Sequence, residues 1–226
     1  MEIISLCREA SVISNFMAEL RNVNVQNRRD VFRTNIESIG IVLGYEISKQ
    51  LPRQTTDIQT PLGSKSQELI NANEVVLITI LRAGLPLHNG LLKAFPHAES
   101  GFVSAYRKHN EGGSFEIEVG YIACPSLQDK VLILSDPMLA TGSSFQVSME
   151  ALKPFGTPKE VHFASVIASE EGVNNLKDSH PDCNLWVADI DPELNSAKYI
   201  VPGLGDAGDR VFNTIPNKQA LSDQNT

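Results

Sequence analysis

The chain has 226 residues, of which 42% are hydrophobic, a proportion typical of folded globular proteins and well above that of disordered chains. Its formal net charge of −8 argues against nucleic-acid binding through phosphate neutralisation, although local basic residues can still bind a small anion. No apolar run is long enough to span a membrane, and the first ten residues carry no secretory signal, so we expect a cytoplasmic protein.

The cysteines and histidines show no metal-binding pattern. Cys7, Cys124 and Cys183 are far apart in the sequence and form no CxxC pair, and the five histidines form no HxH or HExxH motif. We therefore expect idle thiols in a reducing compartment and no structural zinc site.

The N-terminal part is predicted to contain one long helix. Apolar residues recur over Val31–Ile47 with the spacing of a single helix face, and the pattern ends before Pro52. The following segment, Arg53–Ser66, is polar and predicts a connection or a short strand pair.

From Val75 onwards, short apolar runs alternate with helical stretches. The runs predicted as strands are Val75–Leu81, Phe102–Tyr106, Val131–Leu134, Val161–Ala168 and Leu185–Ala188. The predicted helices between them are Leu85–Phe95, Phe145–Lys153 and Gly172–Ser179. This alternation indicates an α/β fold with a mostly parallel central sheet.

Two segments interrupt the alternation. Arg107–Gly120 is hydrophilic, contains two adjacent glycines and has little to bury, so we expect it to be functional or mobile. The segment after Asp191 is rich in proline and glycine and shows no helical or strand period. The last residues, Asn217–Thr226, are polar and expected to fray.

The most informative motif is Val131–Ser144, in which a predicted buried strand leads through small residues into a helix. Backbone N–H groups and the helix dipole, about half a positive charge, favour a phosphate there, and Asp136 suits sugar hydroxyls or a metal ion. The GxxxxGK(S/T) and GxGxxG loops are both absent. The motif therefore predicts a site for a phosphorylated sugar, with plain helix capping by Thr141, Ser143 or Ser144 as the alternative.

Two arginines follow predicted strands. Arg82 stands at a strand's carboxyl end, where open α/β sheets bind ligands, and its planar guanidinium suits a bidentate phosphate contact. An exposed salt bridge is the alternative for this residue. Arg107 also follows an apolar run, but an arginine that opens a loop is common, so its role stays open at this point.

The stretch Tyr199–Asp209 contains three glycines and two aspartates and is not expected to form a regular element. Its backbone N–H and C=O groups can face a flat heterocycle such as uracil, whose edge offers an acceptor, a donor and an acceptor. An ordinary Gly/Asp turn remains the alternative. A calcium loop is excluded because the DxDxDG spacing is absent.

Together these stretches resemble those of the uracil phosphoribosyltransferases, a branch of the type I phosphoribosyltransferases. DPMLATGSS at 136–144 is similar to that family's diphosphoribose-binding loop, ILRAGL at 80–85 to its pyrophosphate loop, and YIVPGLGDAGD at 199–209 to its uracil site. The resemblance extends from about Arg21 to Phe212. It implies an enzyme that converts phosphoribosyl diphosphate and uracil into uridine monophosphate and pyrophosphate with Mg²⁺. The alternatives are a nucleotide-binding regulatory module without turnover and an enzyme for orotate or a purine.

The resemblance also implies how the chain is organised. It implies a single domain with a mostly parallel central sheet flanked by helices, the type I phosphoribosyltransferase fold. Its expected parts are an N-terminal helical arm (1–70), an α/β core (71–190), a C-terminal base-binding hood segment (191–213) and a polar tail (214–226). Small molecules rather than nucleic acid or a membrane are the expected partners. A homodimer or higher homo-oligomer is implied, with the N-terminal helix as its suggested interface, and regulation by GTP is left open.

By position in these motifs, the resemblance assigns three groups of site residues. Arg82 and Arg107 would hold the diphosphate and, with Asp136, form the catalytic group. The other residues expected to bind phosphoribosyl diphosphate are Pro137, Met138, Leu139, Ala140, Thr141, Gly142, Ser143, Ser144 and Asp206. Those expected to bind uracil are Ile200, Gly205, Asp206 and Ala207. Mg²⁺ is expected to bind through the diphosphate rather than through assigned side chains, and Arg107–Gly120 becomes a candidate lid.

Two departures from related patterns concern the phosphate loop. The family usually has TGGS or TGGT where this chain has TGSS, so Ser143 adds a side chain where the backbone approaches phosphate. Purine-specific relatives often carry further acids in this loop, at places held here by Asp136, Pro137 and Ala140. Without a loop carboxylate to act as a general base on the nucleobase, the sequence favours catalysis through departure of pyrophosphate.

Overall fold

The structure is a computed structural model that describes residues 1–109 and 115–212, with the side chains of residues 105–118 outside the described part. The strands are β1 (Ile3–Ser5), β2 (Arg53–Thr60), β3 (Gly63–Ile70), β4 (Val75–Leu81), β5 (Glu99–His109), β6 (Phe115–Ala123), β7 (Val131–Ser135), β8 (Met138–Leu139), β9 (Glu160–Ser169), β10 (Asn184–Asp191), β11 (Glu193–Leu194) and β12 (Ile200–Val201). The α-helices are α1 (Val12–Arg21), α2 (Arg29–Ser48), α3 (Leu85–Ala94), α4 (Ser143–Leu152), α5 (Glu170–Ser179) and α6 (Ala207–Phe212).

Within the described ranges, the central sheet contains eight strands, seven of them in the order β1-β10-β9-β7-β4-β5-β6, with β8 beside β9. Its pairs are parallel except for β5 and β6, which are antiparallel. The predicted α/β fold with a mostly parallel sheet is therefore confirmed. No helix in these ranges is long and apolar enough to cross a membrane.

The central strands are buried on both faces of the sheet. Val75 and Leu77 of β4 belong to the apolar cluster shared with α2 and α3, whereas Val76 and Ile78 belong to the cluster shared with α4 and α5. Successive side chains of a strand point to opposite faces, so both sets must be apolar. This double burial explains why the sequence shows unbroken apolar runs instead of alternation.

Helices α2 and α3 pack closely because glycines stand at their crossing. A Cβ at Gly90 would lie 2.1 Å from the Glu37 carbonyl oxygen, and one at Gly40 would lie 2.6 Å from the Leu87 carbonyl oxygen. Any larger side chain there would therefore force the helices apart. Since α3 begins directly after the Arg82 loop, this contact also fixes where that loop stands.

Most predicted elements are confirmed, with ends shifted by a few residues. The long helix is α2, the five predicted strands are β4, β5, β7, β9 and β10, and the three later helices are α3, α4 and α5. Arg53–Ser66 lies in an antiparallel hairpin of β2 and β3. The sequence patterns did not indicate β1 or α1, a three-residue edge strand and a ten-residue helix.

Two segments outside the predicted alternation contain regular structure, and the expectation that Tyr199–Asp209 forms no regular element was wrong. Much of Arg107–Gly120 is regular, because β5 continues to His109 and β6 begins at Phe115, and the two strands pair through their backbones. Backbone pairing needs no apolar pattern, which is why no sequence signal indicated it. After Asp191, β11 pairs with β12 and α6 follows, but these elements are too short to produce a period. Residues 110–114, in the candidate lid, and the polar tail lie outside the described residues.

Candidate active site

The predicted site residues lie along the carboxyl edge of the parallel sheet. Arg82 follows β4, Asp136 follows β7 and the Tyr199–Asp209 segment follows β10, and these strands run parallel within one sheet. The chain leaves β4 through α3 on one face and leaves β7 through α4 on the opposite face. Neighbouring strands whose connections diverge in this way create a crevice, which is the usual ligand site of open α/β sheets.

The segment 136–144, which we call the phosphate loop, ends in an uncapped helix start. The residue before α4 is Gly142, in the left-handed region at φ 83°, and Ser143 and Ser144 are the first helical residues. Plain capping was the alternative interpretation, and it is wrong because the cap position has no side chain. The Thr141 hydroxyl contacts that of Ser143 at 2.9 Å and accepts the Ser143 N–H only at 3.4 Å.

Helix α5 and the residue directly before it donate hydrogen bonds to carbonyl groups of the phosphate loop. The Ser169 hydroxyl donates to the Ala140 carbonyl at 2.6 Å, and the Asn175 amide donates to the Thr141 carbonyl at 3.1 Å. Carbonyl and following N–H point in opposite directions across a trans peptide, so the N–H groups of Thr141 and Gly142 point away from α5. The loop is thus prearranged to present N–H donors to an anion. Sequence reasoning missed Ser169 and Asn175, because only the fold brings them to the loop.

The Asp136 carboxyl is the most perturbed acid of the site. Burial raises its pKa to about 7, although a hydrogen bond accepted from the Met138 N–H at 3.3 Å acts in the opposite direction. Its main-chain N–H donates to the Ala164 carbonyl at 3.1 Å, which fixes the start of the loop against β9. A carboxyl with a pKa near 7 in a crevice is typical of a functional position.

The Arg82 loop turns tightly between β4 and α3. A Cβ at Gly84 would lie 2.2 Å from the Thr79 hydroxyl oxygen and 2.5 Å from the Ile80 carbonyl oxygen, so only glycine fits. The Arg82 side chain is exposed, and no described side chain forms an ion pair with it. Among the described side chains, the salt-bridge alternative therefore has no support. Arg107 lies in β5, next to β4, and its side chain is outside the described part.

The Tyr199–Asp209 segment, which we call the base segment, folds back onto the sheet edge. Ile200, Leu204 and Ala207 are buried in the same apolar cluster against which Met138 and Ala140 of the phosphate loop pack. The predicted base and phosphate residues are therefore brought to one end of one core.

The exposed part of the base segment is shaped by its backbone. Gly205 has φ 82°, and a Cβ there would lie 2.7 Å from Arg210 Nε. Asp206 is exposed and accepts the Asp209 N–H at 3.0 Å, which orders the start of α6. A cavity of about 360 Å³ adjoins this turn, lined by Asp206, Asp209, Arg210, Gln26, Asn27 and Arg29. The connection between α1 and α2 therefore forms a wall beside the base segment.

The fold is that of an α/β protein with a mostly parallel central sheet flanked by helices, and the predicted site residues lie at its carboxyl edge. A family model described as uracil phosphoribosyltransferase matches residues 7–214. The uracil phosphoribosyltransferase of Porphyromonas gingivalis is 49% identical over 213 residues, covering 94% of this chain and 98% of that protein. The one from Thermococcus sibiricus is 39% identical over 206 residues, covering 90% and 87%.

One solved structure gives the same result for the fold. The AQ2163 protein from Aquifex aeolicus is similar with a TM-score of 0.82 at 32% identity, covering 93% of this chain and 97% of that one. This chain belongs to the uracil phosphoribosyltransferase family. The family match begins at residue 7, earlier than the Arg21 suggested by the motifs, so it includes α1.

Proposed function

We propose that this protein is a pentosyltransferase that transfers the 5-phosphoribosyl group from phosphoribosyl diphosphate to uracil, giving uridine monophosphate and pyrophosphate. The observation that carries the proposal is that the segment predicted to bind the base and the loop predicted to bind the phosphate lie at the same edge of the sheet. The base segment, through Ile200, Leu204 and Ala207, and the phosphate loop, through Met138 and Ala140, pack in one apolar cluster, and both segments follow parallel strands of one sheet. A two-substrate transfer needs both substrates held together in this way.

In this proposal the phosphate loop binds the phosphoribosyl half of the donor. The backbone N–H groups of residues 137–144 and the hydroxyls of Thr141, Ser143 and Ser144 bind the 5′-phosphate, and Asp136 binds the ribose hydroxyls. The N–H directions imposed by α5 and the positive end of α4 support this assignment. Asp206, exposed beside the turn, contributes to donor binding from the opposite side.

Arg82 and Arg107 hold the diphosphate, which is the leaving group. The exposed guanidinium of Arg82, which forms no ion pair with the described side chains, supports this role, because each charge-assisted hydrogen bond is worth about 1.5–3 kcal/mol. The described side chains, those of residues 1–104 and 119–212, contain no group of three or more His, Cys, Asp or Glu placed to share a metal ion. Mg²⁺ prefers few carboxylates together with substrate phosphates, so an ion that arrives with the diphosphate needs no such cluster of side chains. Bound there, Mg²⁺ neutralises part of the leaving group's charge.

The base segment binds uracil through its backbone. Ile200, Gly205, Asp206 and Ala207 present N–H and C=O groups, and the left-handed Gly205 gives the turn a shape that other residues rarely adopt. Orotate would need a cation for its carboxylate. Lys198, the lysine at the edge of this segment, is paired with Glu171 at 3.0 Å, which disfavours orotate as substrate.

The chemical step we infer is departure of pyrophosphate ahead of attack by uracil. The bond from C1′ to the diphosphate oxygen breaks, an oxocarbenium-like ribose forms, and uracil N1 closes the new bond while its proton leaves to solvent. Electrostatic stabilisation of developing charge commonly lowers such a barrier more than any other effect, and the position of Arg82 directly after β4 supports this proposal.

We further propose that the chain is a homodimer or higher homo-oligomer in the cytoplasm. The hairpin of β2 and β3 is almost wholly exposed, with Leu62 fully exposed at its tip, and an isolated hairpin is marginally stable in water. Packing against a second copy would cover it. Light scattering tests this: replacing Ile58 and Leu62 by Asp should shift the mass towards the monomer. The free thiols of Cys7, Cys124 and Cys183 support a reducing compartment.

An assay with phosphoribosyl diphosphate, Mg²⁺ and radiolabelled uracil tests the proposed function. We expect labelled uridine monophosphate and an equal amount of pyrophosphate. The competing candidate is a regulatory module that binds nucleotide without turnover. Calorimetric binding of uridine monophosphate with no product in the assay would favour that module and contradict the proposal.

A further inference from the structure

A buried ion-pair network lies directly behind the base segment. Arg21, the last residue of α1, donates from Nη1 and Nη2 to the two Asp191 carboxylate oxygens, each at 2.7 Å. Asp191 ends β10, and its side chain is only 6% exposed. Neither residue belongs to the substrate-binding set, so the proposed chemistry leaves this network without a role.

The network holds both backbone groups of one residue in the base segment. Arg21 Nη1 donates to the Gly203 carbonyl at 3.0 Å, and the Gly203 N–H donates to Asp191 Oδ2 at 2.8 Å. Gly203 has φ 65°, and a Cβ there would lie 2.1 Å from the Ile200 carbonyl oxygen. The turn at Gly203 therefore has room only for glycine. Its backbone is bonded by the cationic Arg21 and the anionic Asp191.

From this geometry we propose that Arg21 and Asp191 are positioning residues for the nucleobase, and that they act by fixing the turn at Gly203 between Ile200 and Gly205. The inference rests on the proposed function. Recognition by backbone groups depends on the direction of each N–H and C=O, and no side-chain rotation can correct a displaced turn. Since α5 holds the phosphate loop separately and the base segment contributes only Asp206 to donor binding, loss of this network should affect the base much more than the donor.

The ion pair keeps Arg21 charged in its partly buried position. Burial by itself would lower the pKa of Arg21, but the hydrogen bonds with Asp191 and Asp189 outweigh it, so the pKa lies above its ordinary value. Loss of the Asp191 charge leaves Arg21 paired with Asp189 alone.

Asp189 provides a matched control within the same network. Its carboxylate accepts from Arg21 Nη2 at 2.7 Å, but its contacts do not include Gly203, and its side chain is 33% exposed. Asp189→Asn and Asp191→Asn thus remove the same charge from the same arginine. They differ because only Asp191 also accepts the Gly203 N–H, so only Asp191→Asn weakens the contact with the turn.

Steady-state kinetics of Asp191→Asn, Arg21→Lys and Asp189→Asn test the proposal. We expect KM for uracil to rise about tenfold or more in the first two variants, because a lysine cannot make the paired contacts of the guanidinium fork. KM for phosphoribosyl diphosphate should change by less than about threefold in all three, and Asp189→Asn should leave both values near wild type. Equal rises in both KM values, or equal effects of Asp189→Asn and Asp191→Asn, would overturn the proposal.

Hydrogen exchange separates this inference from the proposed function, since it needs no substrate. In Asp191→Asn, and not in Asp189→Asn, amides of residues 199–206 should exchange at least about ten times faster, while those of residues 136–144 keep their wild-type rates. If the wild type makes no uridine monophosphate but the two variants differ in exchange in this way, the proposed function is wrong. The proposed role of Arg21 and Asp191 in fixing the turn is then still supported. Unchanged exchange at 199–206 in Asp191→Asn would refute that role directly.

Discussion

The Thr79 hydroxyl donates to the main-chain carbonyl of Ser135 at 3.1 Å, and the two side-chain hydroxyl oxygens lie 3.0 Å apart. Both residues are fully buried, near the carboxyl ends of β4 and β7. Arg82 and Asp136 directly follow these two strands in the chain. A buried pair of hydroxyls therefore fixes the spacing between the loop proposed for pyrophosphate and the loop proposed for the ribose and its phosphate.

We predict that Thr79→Val destabilises the protein and weakens donor binding. The replacement has nearly the same shape but removes both hydrogen bonds between Thr79 and Ser135 and leaves the Ser135 hydroxyl only its 3.3 Å bond to the Ile78 carbonyl, so we expect a cost of about 1–3 kcal/mol. Urea denaturation should show a loss of that size, and KM for phosphoribosyl diphosphate should rise. Thr55→Val, on the exposed hairpin, is the control and should change the unfolding free energy by less than about 0.5 kcal/mol. Equal stability of Thr79→Val and wild type would show that the pair is unimportant.

A methyl group added in α5 should disturb the phosphate loop without touching the ligand. A Cβ at Gly172 would lie 2.2 Å from the Ala140 carbonyl oxygen, and overpacking of this kind costs about 1–3 kcal/mol. Gly172→Ala should therefore raise KM for phosphoribosyl diphosphate about tenfold while changing KM for uracil much less. Asn174→Ala alters an exposed residue of the same helix and is the matched control. If Gly172→Ala bound the donor normally, the loop would not depend on α5.

The raised pKa of Asp136 predicts a specific pH dependence of stability. In the folded protein this carboxyl titrates near 7, and its ordinary value is 3.8. As pH rises between these values, the unfolded chain loses the proton and the folded chain keeps it, so this contribution to stability falls with rising pH. The contribution is fully present below the unfolded value and levels off above about pH 7.

Thermal denaturation of wild type and Asp136→Asn across that pH window isolates the contribution of Asp136 to stability, because the two proteins have every other titrating group in common. The wild type should lose stability relative to the variant as pH rises from about 4 to about 7. Parallel curves would mean that Asp136 titrates normally.

Arg82→Ala should lower kcat far more than it affects uracil binding. The guanidinium is proposed to hold the departing diphosphate, and loss of one charge-assisted contact corresponds to about a tenfold to hundredfold lower rate. KM for uracil should stay within about threefold of wild type. Lys153→Ala removes another exposed positive charge, after α4 and away from the carboxyl edge, and controls for net charge. A raised KM for uracil with kcat preserved would contradict the proposed chemical step.

The parts of this fold that the sequence predicts are those whose pattern follows from local burial. β4, β7, β9 and β10 are recognisable because both faces of each strand are covered, and the motifs that follow three of them mark the site. The ion pair between Arg21 and Asp191 connects residues that are 170 positions apart, and no local sequence pattern predicts such a contact. Ser169 is visible as a helix cap before two glutamates, but its bond to Ala140 depends on how α5 packs.

The rate of nucleotide formation from phosphoribosyl diphosphate with uracil, compared with the rates with cytosine, orotate and hypoxanthine, tests the central proposal most directly. Cytosine presents an acceptor where uracil presents its N3 donor, and an unpaired buried polar group costs about 1–3 kcal/mol. With uracil we predict steady formation of uridine monophosphate, and with each other base a kcat/KM at least about a hundredfold lower. Comparable or faster turnover of another base, or no nucleotide from any of them, would contradict the assignment of this site to uracil.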